Sequence, residues 1–164
     1  MSQVHSETPT YRHFPSNRVS VVPREQAAGF SAVQELLSRL CSQASRIAVD
    51  TYQGVENEEL EKLLSLALPN HRLLRSRDAF KSHADVEQLV APDVTDDPVF
   101  GFLTRLHMED FFDQQLLQAT KEAIAHGSEQ LCVWGPGASI LVKAPDALIY
   151  VDMPRWEIQR RQRA

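Results

Sequence analysis

Short apolar runs closed by turn signals constrain this chain most: 46–50 (RIAVD), 130–134 (QLCVW) and 147–151 (ALIYV). Such runs, bounded by turn signals, read as strands, and 46–50, followed by a turn and then a helix, reads as a buried parallel strand. HRLLRS (71–76) is a weaker fourth strand. Stretches long enough for helices separate them, and connections of a dozen or more residues suit crossovers between parallel strands. The expected fold class is α/β, with three layers and a mostly parallel sheet carrying helices on both faces.

Helical spacing fills the gaps. In 30–45, Val33, Leu36, Leu37 and Leu40 recur on one face. In 56–68, an acidic first turn (Glu56, Glu58, Glu59) precedes an inner face of Leu60, Leu63, Leu64 and Ala67, and Pro69-Asn70 stops the helix. Gly54, in the turn before it, is the expected positive-φ residue. Residues 76–82 (SRDAFKS) read as a polar connection, 82–90 as a short helix ended by Pro92, and 93–106 as a loop anchored by Val99, Phe100 and Phe102. The spacing predicts one helix over 108–126, with a stripe of Phe112, Leu116, Ala119 and Ala123, and Gly127 at its C′ position. Residues 135–139 (GPGAS) form a glycine turn, 140–143 (ILVK) look β-like, and Pro154 opens a last helix. That helix brings apolar Trp156 and Ile158 close to the end of the sequence, which suggests a first module whose partner lies downstream. Residues 1–28 read as a weakly ordered lead-in, with 19–22 (VSVV) as a candidate edge strand, and 29–164 as a single domain truncated at its last helix.

Composition narrows the function classes. A chain of 164 residues can bury one core without disulfides or structural metal. A net charge of -5 argues against a nucleic-acid binder, which must neutralise phosphates. No apolar run approaches the ~20 residues of a membrane span, and the N-terminus has no apolar signal segment. Cys41 and Cys132 show no metal-ligand spacing and read as small buried hydrophobes in a reducing, cytoplasmic compartment.

Few motifs carry chemistry. In GPGAS, Gly135 and Gly137 can turn amides toward an anion, with Ser139 adding a hydroxyl; the alternative is a tight structural turn. Asp50 and Asp152 each end a strand and form a candidate pair, for a cation or for capping the next helices. Asp93, Asp96 and Asp97 offer carboxylates for Mg²⁺, or simply turn residues. Arg160 and Arg163, among the four arginines of the last helix, are a candidate phosphate clamp; a solvated basic face is the alternative. The six histidines show no metal-binding spacing, and TYQGVENEE (51–59) lacks the glycines and lysine of a Walker A loop.

The stretches 50–64 (DTYQGVENEELEKLL), 76–82, 93–112 (DVTDDPVFGFLTRLHMEDFF), 134–139 (WGPGAS) and 146–163 (DALIYVDMPRWEIQRRQR) resemble the N-terminal region of long class I mannose-6-phosphate isomerases. In that family the isomerase chemistry uses a zinc held in a cupin part that has no counterpart here. The resemblance therefore implies an accessory α/β domain without isomerase activity by itself and with no cofactor of its own. It would bind a sugar phosphate or nucleotide, or dock on an isomerase module, through the GPGAS loop and the arginine-rich helix. A more distant likeness in layout, carried by 109–124 and 148–163, is to uridine-kinase-like P-loop folds with a degenerate phosphate loop. It implies a second reading, a small-molecule kinase with an atypical phosphate site. There Asp50 and Asp152 would handle the metal and acceptor, and Arg160 and Arg163 would close on phosphate. A structural docking module is the third.

Overall fold

The computed structural model describes residues 26–52, 54–96 and 101–163. Four strands, β1 (Arg46–Thr51), β2 (Arg72–Arg75), β3 (Leu131–Gly135) and β4 (Ala147–Val151), form one sheet in the order β2-β3-β1-β4. Every pairing is parallel; Val49 of β1 lies beside Trp134 on one side and Ile149 on the other. The helices are α1 (Phe30–Leu40), α2 (Asn57–Ala67), α3 (His83–Val90), α4 (Gln114–His126), α5 (Ala138–Leu141) and α6 (Arg155–Gln162).

The two faces of the sheet carry separate cores. On one, Ile47, Val49, Cys132 and Trp134 pack under Leu60, Leu64 and Ala67 of α2, with Leu37 of α1 against them. On the other, Ala48, Leu131 and Val133 meet Leu117 and Ile124 of α4 and Ala138 and Leu141 of α5. Alternation along β1 explains why Ile47, Ala48 and Val49 are all fully buried: successive side chains enter opposite cores. This is the three-layer α/β architecture expected from the apolar runs. Among the described residues, no helix is long and apolar enough to cross a membrane.

Several local expectations are corrected. The helix predicted over 108–126 is two elements. Met108–Phe111 is a 3₁₀ turn, Phe112 is extended, and the α-helix begins at Gln114. Asp113 causes the break, because its carboxylate accepts the amides of Gln115 and Leu116 at 2.9 Å and so favours an N-cap over a helix interior. Phe112 is thereby free to pack edge-on against Phe80 with ring centroids 4.6 Å apart. The buried stripe of α4 is Leu117 and Ile124, while Leu116, Ala119 and Ala123 are exposed. Gly127 caps α4 with φ -69 and so is not left-handed. The connection 76–82 is not merely polar, since Ser76 and Ala79 are buried. Residues 140–141 are helical rather than β-like: left-handed Gly137 starts the single turn of α5, and Leu141 and Val142 are buried against the sheet. The Phe102 side chain is 72% exposed rather than a buried anchor. The other two anchors, Val99 and Phe100, lie outside the described residues, as do Asp97, the run 19–22 and the lead-in through 25.

Candidate functional site

In an open parallel sheet, ligands bind beyond the carboxyl ends of the strands, where adjacent strands send their connections to opposite faces. β1 and β3 are such a pair. β1 leads into α2 on one face, and β3 leads into α5 on the other. Their last paired residues are Asp50 and Gly135. At this divergence lies a crevice of 220 Å³. Thr51, Tyr52, Gly54, Val55 and Asn57 form one wall; Arg75, Arg77 and Phe80 from the end of β2, with Trp134, Gly135 and Pro136 of β3, form the rest.

The chain carries -5 overall, yet two arginines and no acid line these walls among the described residues. Arg75 donates to the Glu61 carboxylate, which raises its pKa, and lies 5.4 Å from the Trp134 ring centroid. Arg77 is exposed and makes no ion pair among the described residues. Trp134 is buried, and its Nε1 has no hydrogen-bond partner among the described residues. Aromatic and apolar walls with a few directed cationic groups suit an anion that carries an organic body.

The glycines of GPGAS have a packing explanation. Gly135 has φ +118, and a Cβ there would lie 2.5 Å from Oγ of buried Ser76. That hydroxyl donates to Pro136 O at 2.8 Å, which ties β2 to the turn. Gly137 has φ +69, and its Cβ would meet Met108 and Phe112 at 3.0 Å. Ser139 donates its amide to Asp50 Oδ2 at 3.4 Å.

The other residues singled out by sequence separate. Asp50 and Asp152 sit at the same edge of the sheet but do not meet. Asp50 turns to α5, whereas Asp152 accepts from the Met153 amide at 2.7 Å and lines a groove with α1, α2 and α6. Arg160 is held within α6 by a two-pronged bond to Glu157, at 2.7 and 2.6 Å. Arg163 is exposed. Arg161 reaches further: it donates to Glu157 at 2.8 Å, to Gly54 O at 2.8 Å and to Glu56 at 2.9 Å. Arg160, and next Arg161, pull the Glu157 carboxyl down to about 2. Among the described residues, no three His, Cys, Asp or Glu side chains gather as a metal site.

Sequence reasoning missed Arg75, Arg77, Tyr52 and Trp134. The available signal was position: all four stand at the carboxyl end of a strand or just past it. Their convergence depends on strand order, which no local pattern encodes. For Arg161 the signal was the i,i+4 spacing from Glu157.

No curated protein and no solved structure matches the chain. A family described as Domain of unknown function (DUF8485) matches residues 29–164. That span takes in the whole sheet and both helical layers, and the chain belongs to this family.

Proposed function

We propose that the domain binds a small phosphorylated ligand, a sugar phosphate or a nucleotide, in the crevice between β1 and β3. In this reading it serves as a non-catalytic accessory domain of a mannose-6-phosphate isomerase-like protein in the cytoplasm. The observation that carries the ligand class is the pair Arg75 and Arg77 on acid-free walls at the switch point. Guanidinium forks match phosphate oxygens, and the Trp134, Tyr52 and Phe80 rings offer apolar surface to a sugar or base. The link to isomerases stands on the sequence resemblance over 46–163. Its zinc belongs to the cupin part, so no metal is assigned to residues of this chain. A phosphotransferase would want a metal-holding acid facing the phosphate, and neither Asp50 nor Asp152 lines the crevice. Free, buried Cys41 and Cys132 suit the reducing compartment that the reading assigns.

The test is thermal-shift titration of the chain and its Arg77→Ala variant with mannose 6-phosphate, fructose 6-phosphate, ATP with Mg²⁺, and UTP. At 100 times its Kd, a ligand of the folded state adds about 2.7 kcal/mol. In a domain of this size that is roughly 5–10 °C in Tm. Arg77→Ala is expected to weaken the responding ligand about tenfold or more, the scale of one charge-assisted hydrogen bond. A shift that survives the substitution would place the ligand elsewhere, and no shift with any of the four would overturn the reading.

A further inference from the structure

α6 contributes no side chain to the crevice walls among the described residues, yet it grips the turn that builds one of them. Gly54 and Val55, between β1 and α2, line the crevice. Gly54 sits at φ +88, and Met153, just ahead of α6, comes within 3.5 Å of where its Cβ would stand. At the start of the turn, the Tyr52 amide donates to Val151 O at 2.9 Å. Past Gly54, the turn backbone is held by Arg161. Its Nη1 donates to Gly54 O at 2.8 Å and to Glu56 Oε1 at 2.9 Å. Its Nε donates to Glu157 at 2.8 Å, so the guanidinium is oriented by its own helix before it reaches across. The Glu157 side chain is 14% exposed, and Arg160 also donates to both of its oxygens.

We infer that α6 regulates anion binding in the crevice, with Arg161 as the positioning residue; this rests on the anion-binding reading above. Two effects act in one direction. The fork fixes the carbonyl of a left-handed glycine, and so fixes the wall that Gly54 and Val55 present. The same cation offsets Glu56, the acid at the N-cap of α2 beside the crevice. Whatever draws α6 off the turn releases the wall and leaves Glu56 without its paired cation, and both changes disfavour an anion.

Inorganic phosphate is the probe, titrated into the wild-type chain and into Arg161→Ala, Arg161→Lys and Glu157→Gln. Hydrogen exchange of residues 52–57 is read in the same samples without phosphate. Arg161→Ala is expected to speed exchange in the turn and to weaken phosphate about three- to fivefold, the upper end for an exposed ion pair. Arg161→Lys keeps the charge but loses the fork, so it should recover part of the affinity while the turn stays fast. Glu157→Gln leaves Arg161 charged but unanchored and should also speed the turn. Faster exchange in Arg161→Ala with unchanged phosphate affinity would overturn the inference while leaving the anion reading intact. Unchanged exchange would overturn it as well, since no grip would have been lost. A wild-type chain that ignores phosphate would overturn the anion reading and the regulation together.

Discussion

At Gly135 the backbone conformation and a neighbour's position make the same demand. A positive φ disfavours any side chain, and the Ser76 hydroxyl occupies the space a Cβ would need. Ser76 cannot simply retreat, because it is fully buried and its Oγ donates to Pro136 O. Gly135→Ala therefore combines left-handed strain with overpacking, and is expected to cost ~2–4 kcal/mol. Urea denaturation of the variant measures this; a loss under ~1 kcal/mol would mean that the turn re-forms around the methyl. The dipeptide spacing of GPGAS was legible and advertised an anion nest. Its cause, a serine 59 positions upstream of Gly135 and the side chains of Met108 and Phe112 against Gly137, was not.

Helix α6 is polar, and little of its docking is apolar: Trp156 is largely exposed, and the contacts that tie it to the turn are those of Arg161. Its attachment should therefore respond to acid. The folded Glu157 carboxyl is depressed from 4.5 to about 2, first by Arg160 and then by Arg161. A group depressed on folding contributes its stabilisation above its unfolded pKa and loses it as pH falls through the folded one. The α6 anchor should thus be intact above pH 4.5 and fade toward pH 2. Asp146 lies below its usual range for a different reason, the amides of Arg46 and Ser45, and adds acid sensitivity at the start of β4. Amide protection of 155–162 relative to β1, followed by NMR from pH 6 downward, measures the anchor. Protection in α6 that tracks β1 throughout would show that the ion pairs do not hold the helix. Element α4 teaches a related point: Asp113 and Phe112 interrupt a pattern that reads as continuous, because a capping carboxylate and a core-seeking ring outweigh periodicity.

On the scale of the molecule, the two faces of the sheet carry distinct cores. Cys41 and Cys132 lie in the core beneath α1 and α2, and burial, with Cys41 nearby, pushes the Cys132 thiol up to about 12. At pH 8 that leaves a thiolate fraction of roughly 10⁻⁴, against about a quarter for an exposed cysteine. Labelling of native protein by a thiol reagent should then be limited by opening of this layer and should accelerate with urea in step with unfolding. Stoichiometric labelling within minutes in buffer would contradict the packing of the α1/α2 layer.

What the sequence by itself determined is the fold class and most of the elements. Apolar runs of about five residues and stripes of 3.6-residue period are local signals, and they placed all four strands, α1, α2 and α3. Tertiary structure alone decided the order β2-β3-β1-β4, which sets β1 beside β3 and splits their connections between faces. That order creates the crevice, brings Arg75 and Arg77 to it, and lets Arg161 reach Gly54 across 107 positions of chain. The reason is physical: each strand buries its own apolar run equally well beside several neighbours. The choice among them is made by helix layers and chain connections that act on the whole sheet at once.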